Sequence, residues 1–144
     1  MSTTVPLEKA LCLIPFNYGD EPDAIEYPDK YIHSGAEEAA LYSDGGVLLC
    51  PDLPSVYEYA TEASDLPMHF QTIADGLGHR YIPMFTSFQA MTDIFGIRIR
   101  VALICYKTAK KYCLTEDIAG IVIGPGTIDE IITRETIEEG SKNV

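Results

Sequence analysis

The sequence has no apolar run long enough to cross a membrane. Its apolar stretches, such as those at 101–106 and 121–123, are far shorter than the roughly 18 residues that a bilayer-spanning helix needs. Residues 1–6 show neither the basic region nor the apolar region of a secretory signal. We therefore expect a cytoplasmic protein that does not associate with membranes.

The chain also lacks paired cysteines. Its four cysteines form no C-x-x-C pair, and none has a histidine at metal-ligand spacing: Cys12, Cys50, Cys105 and Cys113. Free cysteine is among the residue types that proteins bury most often. The pattern therefore predicts packed, unpaired thiols, and it indicates neither a metal site nor a cofactor.

No catalytic motif is recognisable. Ser87 follows a predicted strand, but no glycine flanks it as in the nucleophile turn of serine hydrolases. The Gly-Pro-Gly segment at 124–126 does not open a helix, as a phosphate-binding loop would, and its proline lacks an amide donor. The three histidines are separated in sequence: His33, His69 and His79. We predict no catalytic residue, with an enzyme of unrecognised active site as the alternative.

Basic residues are scarce, and they are nearly absent from the first half. The chain has 10 Lys and Arg against 22 Asp and Glu, which gives a net charge of −12 at pH 7. Residues 1–75 contain 14 acidic residues and two lysines, whereas 76–144 contain eight of each sign. Nucleic acids and anionic membranes repel such a chain, because affinity for phosphates comes from Lys and Arg. A basic protein, or a second copy of the chain, is compatible as the partner.

Two groups of residues are candidate binding surfaces. The first combines carboxylates and tyrosines in a predicted loop: Tyr18, Asp20, Glu21, Asp23, Glu26 and Tyr27. Tyrosine is enriched at protein interfaces and carboxylates attract a basic partner, whereas the spacing is not that of a calcium loop. The second group is the one concentration of basic residues: Arg98, Arg100, Lys107, Lys110 and Lys111. It could hold an anion or meet the acidic half of a neighbouring copy, and either group could equally be solvated surface.

Helix and strand signals are clear only in the second half. Residues 81–85 predict a strand, and the following helix is expected to begin at Thr86, with Gln89 completing a capping box, and to end at Gly96. Alternation over 97–106 predicts a further strand. Further predicted elements include helices at 36–42, 54–61, 70–75, 114–119 and 133–139, and strands at 47–50, 120–123 and 128–132.

This order of elements predicts a single α+β (or α/β) domain, with a mixed sheet of about five strands and helices packed on it. We expect residues 1–79 to form an irregular acidic half and residues 80–140 a better-patterned half of the same domain. No Gly/Ser linker or internal repeat separates the two halves. The chain is accordingly treated as one folding unit of 144 residues, which is an ordinary domain size.

Three features of the second half form a recognisable combination. Residues 81–87 read Tyr-Ile-Pro-Met-Phe-Thr-Ser, residues 120–126 read Gly-Ile-Val-Ile-Gly-Pro-Gly, and a terminal helix is predicted soon after. Over 80–138 this combination resembles the SseB-like family, the N-terminal domain of enhanced serine sensitivity proteins. The family has Asn where this chain has Gly124, so a role of that Asn would be absent here. The resemblance implies a small intracellular bacterial α/β domain, and it transfers no catalytic residue.

Overall fold

The computed structural model describes most of the second half of the chain and parts of the first. The described residues are 10–17, 32–34, 48–55, 57–61, 69–96 and 99–142. They form one domain of the α+β class, which confirms the predicted fold class. Among these residues, no helix is both long enough and apolar enough to span a bilayer.

Nine strands and three helices are present in the described ranges. The strands are β1 (Leu11–Asn17), β2 (Ile32–Ser34), β3 (Glu58–Thr61), β4 (His69–Phe70), β5 (Ile73–Ala74), β6 (Arg80–Met84), β7 (Arg100–Cys105), β8 (Gly120–Ile123) and β9 (Glu130–Thr133). The helices are α1 (Phe88–Phe95), α2 (Tyr106–Thr115) and α3 (Arg134–Lys142). Instead of one sheet of about five strands, the chain builds two mixed sheets, ordered β2-β3-β7-β1-β4 and β5-β6-β8-β9.

Strands β1 and β7 lie at the centre of the molecule and are buried on both faces. They pair antiparallel along nearly their whole length. On one face, Ile14 and Ile104 contribute to a core shared with the four-stranded sheet, α2 and α3. On the other face, Leu13 and Leu103 contribute to a second core that Met91 of α1 helps to close. Burial on both faces explains why these two strands are apolar almost throughout.

The two sheets meet where β1 passes the end of β6. The Leu13 amide donates to the Phe85 carbonyl at 3.0 Å, and the Phe85 amide donates to the Leu13 carbonyl at 2.8 Å. This reciprocal pair holds one face of the four-stranded sheet, its inner face, against the shared core. The opposite side of the same sheet, its outer face, consequently points away from that core.

Several predicted helices are wrong because strand pairing overrides local preference. Residues 58–61, assigned to a helix, form β3, in which Tyr59 is fully buried and which pairs parallel with β7. The segment 70–75, also assigned to a helix, contributes to β4 and β5. The helix predicted at 114–119 begins where α2 in fact ends. β3 and β4 pair with strands remote in sequence, whereas β5 pairs with the nearby β6 through a short turn.

The start of α1 is displaced by one residue from its predicted position. Ser87, and not Thr86, is the N-cap, and its hydroxyl oxygen accepts from the Ala90 amide at 3.1 Å. The Thr86 hydroxyl instead contacts that of Thr127 at 3.2 Å, across the loop that follows β8. The predicted end of the helix is confirmed, because Gly96 has a φ of +87° that favours glycine.

Candidate functional site

The acidic, tyrosine-rich group lies outside the described residues. It comprises Tyr18, Asp20, Glu21, Asp23, Glu26 and Tyr27. Arg98 of the basic group also lies outside them. The acidic group stays a prediction from the sequence, and the basic group can be followed only through its other four members.

The structure divides the basic group between two places. Lys107, Lys110 and Lys111 lie on one face of α2, because residues three and four apart are neighbours on a helix. The Lys110 ammonium stands 4.8 Å from the centre of the Tyr106 ring. Arg100 begins β7, whose remaining length places it about 17 Å from the start of α2. Among the four described members, the lysines of α2 share one face and Arg100 does not belong to it.

The outer face of the four-stranded sheet is apolar, and it opens to solvent at its β9 edge. Ile73 pairs with Tyr81 across β5 and β6, and Val122 pairs with Ile131 across β8 and β9. Together with Pro125, these side chains line a hollow of about 220 Å³. Ile131 is 57% exposed on the edge strand, whereas its cross-strand neighbour Val122 is only 7% exposed. An apolar hollow that stays open to water is the usual mark of a binding surface.

Two carboxylates stand at the rim of this hollow. Asp129 belongs to the loop before β9, where its carboxylate accepts from the Gly126 amide at 2.9 Å. Asp75 belongs to the turn between β5 and β6, where it accepts from the Leu77 amide at 2.8 Å and the His79 amide at 3.0 Å. Both carboxylates are thereby fixed in position. The arrangement suits an apolar side chain accompanied by a cation.

The rim carboxylate of Asp75 is stabilised in its charged form. Desolvation would raise its pKa, but hydrogen bonds from His79 and Leu77 outweigh that effect and hold the pKa below its ordinary value. The His79 Nδ1 atom lies 3.0 Å from the same carboxylate. Because this pair is exposed, water competes with the contact between the two side chains.

The carboxylate of Asp52 lies at the N-terminus of α1, in the position that a bound anion would take. Asp52 accepts from the Phe88 amide at 2.7 Å and from the Gln89 amide at 3.0 Å. The Ser87 hydroxyl and the Cys50 thiol also donate to it, at 3.1 and 3.2 Å. The amides that a phosphate would need at this helix end are therefore occupied, and Ser87 acts as a capping residue.

The cysteines are packed as predicted. Cys12, Cys50 and Cys113 are buried, Cys105 is half-buried, and none of the four forms a disulfide. Burial raises the pKa of Cys12 to about 12. Burial, assisted by the hydrogen bond to Asp52, also raises the pKa of Cys50 to about 12. These two thiols stay protonated at neutral pH and are therefore poor nucleophiles.

A second hollow, of about 330 Å³, is lined by polar groups. One of its two arginines, Arg134, already hydrogen-bonds to backbone carbonyls of the chain. The hollow is bounded by His79, Arg80, Asp117 and Arg134, among others. The Arg134 guanidinium donates to backbone carbonyls at the end of α2: Cys113, Leu114, Glu116 and Ile118. In the part of the chain that the structure describes, no cluster of three His, Cys, Asp or Glu residues is arranged to hold a metal.

The outer face was not among the sites that the sequence suggested. Strands were predicted at 81–85, 120–123 and 128–132, and the turn at 124–126 favours pairing of the last two, but nothing local indicated that 81–85 would lie beside 120–123. The signal lay in the run 120–123, where residues of both faces are apolar although only one face meets the core. Comparison with family models, with curated proteins and with solved structures finds no match to this chain.

Proposed function

We propose that this chain is a non-catalytic binding or regulatory module, and that the outer face of the four-stranded sheet receives its protein partner. The observation that carries the proposal is the open apolar hollow between Tyr81, Val122 and Ile131, with Asp75 and Asp129 at its rim. Burying such apolar surface against a partner is favourable, and the carboxylates select for a basic one.

The overall charge of the chain supports the same kind of partner. A net charge of −12 steers a basic protein towards the molecule and repels acidic ones. The association rate with such a partner would fall as salt screens the attraction. The partner is therefore proposed to present apolar side chains next to lysine or arginine.

We retain membership of the SseB-like family and a cytoplasmic location as proposals. Residues 81–87 run from β6 to the cap of α1, and residues 120–126 run from β8 into its following turn. β6 and β8 are parallel neighbours, so the two resembling segments lie side by side. The proposed family membership rests on the sequence of these two segments, and it identifies no reaction.

The test uses two short peptides that share the same apolar residues and differ only in charge, one rich in lysine and one rich in glutamate. Each is titrated into the protein while backbone amide resonances are followed by NMR. We expect the lysine peptide to shift the amides of Ile73, Tyr81, Val122 and Ile131, because those residues line the hollow. The glutamate peptide should shift none of them.

A matched pair of variants gives the control. Ile131→Asn should weaken binding of the lysine peptide by about tenfold, because it removes an apolar side chain from the hollow. Ile94→Asn changes a side chain of similar exposure, 52% against 57%, on α1, and should leave binding unchanged. Equal binding of both peptides, or equal loss in both variants, would contradict the proposal.

Self-association is the second candidate, and the lysine face of α2 is the observation that favours it. Lys107 and Lys111 are exposed on the same face as Lys110 and could meet the acidic rim of a neighbouring copy. Sedimentation at low and high salt tests this candidate. A larger species at low salt that Lys107→Glu with Lys111→Glu abolishes would support it, whereas a monomer at both salt concentrations would exclude it.

A further inference from the structure

The last strand of the four-stranded sheet has one edge without a described partner. β9 pairs antiparallel with β8, with Val122 opposite Ile131 and Gly120 opposite Thr133. In the described ranges, no strand pairs with β9 on its other side. The strand is exposed along most of its length, since three of its four residues are open to solvent.

The register determines which backbone groups of β9 face outwards. The Arg134 amide donates to the Ala119 carbonyl at 2.7 Å, so this pair is a hydrogen-bonded pair of the antiparallel ladder. Hydrogen-bonded and non-hydrogen-bonded pairs alternate along such a ladder. The pairs containing Ile131 and Thr133 are therefore non-hydrogen-bonded, and the N–H and C=O groups of Ile131 point away from β8.

The charge around this edge is strongly acidic. Residues 129–139 contain five carboxylates and one arginine: Asp129, Glu130, Glu135, Glu138 and Glu139 against Arg134. The arginine is engaged by carbonyls at the end of α2 and by Glu138. A second copy that paired through its own β9 would bring like charges together, which disfavours edge-to-edge self-association.

We propose that β9 accepts an extended basic and apolar segment of the partner as a fifth strand of this sheet. This inference rests on the proposed function and specifies how that same surface binds. The main-chain groups of Ile131 hold the segment, and its side chains alternate between the two faces of the sheet. The outer-face positions continue the apolar hollow beside Ile131, and the inner-face positions lie towards Glu130 and α3.

The alternation specifies the sequence that should bind best. Residues that share the face of Ile131 are apolar, and those between them are lysine or arginine, because they approach Glu130 and the first turn of α3, which carries Glu135. A strand of alternating valine and lysine, about six residues long, meets this requirement. A peptide of the same composition with the valines grouped together does not.

The experiment compares amide hydrogen exchange in the free protein and with the alternating valine–lysine peptide. Binding is expected to slow exchange of the Ile131 amide by about tenfold or more, because that amide gains a hydrogen-bond acceptor. Two further peptides carry N-methyl groups on alternate sets of amides. Methylating the set that faces β9 should weaken binding by about tenfold, and methylating the other set should leave it unchanged.

Variants of the protein test the charge requirement separately. Glu130→Lys should weaken binding of the alternating peptide, whereas Asp93→Lys, the same kind of charge change on α1, should not. A grouped valine–lysine peptide should bind less tightly than the alternating one to the unaltered protein.

The possible outcomes separate this inference from the proposed function. If both N-methylated peptides bind equally while the amides around the hollow still shift, strand addition is overturned and the binding surface stands. If no lysine peptide binds at all, both proposals fall. Exchange of the Ile131 amide could also slow as the protein concentration rises, without any peptide. That result would show that a second copy of the chain pairs with β9, and it would overturn the proposal of a basic partner segment.

Discussion

At the level of single residues, aspartates organise the loops of this domain. Asp52, Asp75 and Asp129 each accept at least one backbone amide from their own or a neighbouring loop. Each therefore satisfies donors that a helix end or a turn would otherwise leave to water. Some carboxylates that contribute to the net negative charge therefore also stabilise loops and helix ends through hydrogen bonds to backbone amides.

Replacing Asp52 tests this structural role. Asp52→Ala removes the acceptor for the Phe88 and Gln89 amides and should lower the free energy of unfolding by roughly 1–2 kcal/mol. Chemical denaturation followed by circular dichroism measures the change. Asp93→Ala, which removes an exposed carboxylate from the last turn of the same helix, should cost less than about 0.5 kcal/mol. Equal losses of stability in the Asp52 and Asp93 variants would contradict the proposed capping role of Asp52.

The same residue predicts a pH dependence. Partial burial would raise the pKa of Asp52, but hydrogen bonds from Phe88, Gln89, Cys50 and Ser87 outweigh it and hold the pKa below the ordinary value of 3.8. The folded pKa is thus the lower one, so this stabilisation is complete above pH 3.8 and is lost as the pH falls through the folded pKa. Unfolding measured at pH 6 and at about pH 3 should show a smaller Asp52→Ala effect at the lower pH.

At the level of secondary-structure elements, the ends of helices and the contacts between strands decide the arrangement. Arg134 begins α3 and donates to the last carbonyls of α2, so one side chain joins two helices. Gly120 begins β8 where the β9 backbone passes very close. Both contacts keep β9 in place, and β9 carries the proposed binding edge.

The Arg134 contact predicts a measurable loss of stability. Arg134→Gln removes most of the donors to the carbonyls of Leu114 and Glu116 and should lower the free energy of unfolding by about 2 kcal/mol. Glu138→Gln removes only the ion pair with Arg134 and should cost less than about 1 kcal/mol. Denaturant midpoints of the two variants make the comparison. A larger loss in the Glu138 variant would show that the ion pair, and not the helix cap, matters.

Gly120 provides a steric test of the β8–β9 contact. A Cβ atom at this position would stand far too close to the Ile132 carbonyl oxygen, so the two strands would have to separate. Gly120→Ala should therefore destabilise the domain by about 1–3 kcal/mol in thermal or chemical unfolding. Gly76→Ala, where a Cβ would meet nothing within 4 Å, is the matched control and should be nearly neutral. Similar behaviour of the two variants would contradict the close contact.

At the level of the whole molecule, the net negative charge predicts how stability depends on salt. A net charge of −12 on 144 residues makes the folded chain repel itself, and added salt screens this repulsion. We expect the Tm to rise by a few degrees between about 0.01 and 0.15 M salt. A variant made less negative by Glu135→Lys and Glu139→Lys should show a smaller rise. A Tm that falls with salt would mean that attractive ion pairs dominate.

Much of the patterned half was predictable because its signals are local. The strand at 120–123, the end of α1 at Gly96 and the buried state of the cysteines follow from apolar runs, a glycine conformation and residue type. The helices assigned to 54–61 and 70–75 were wrong because β3 and β4 are stabilised by partners remote in sequence, and β5 continues the latter segment into a hairpin with β6. Local propensity cannot register such partners.

The sequence by itself determined the acidic charge and the α+β class, because these depend on composition and short-range periodicity. Only the tertiary structure decided which strands are neighbours, and hence which side of each strand meets the core. Ile131 looks like a core residue in the sequence, and it lies 57% exposed at a sheet edge because no described element covers the outer face. The candidate site is the result of that pairing.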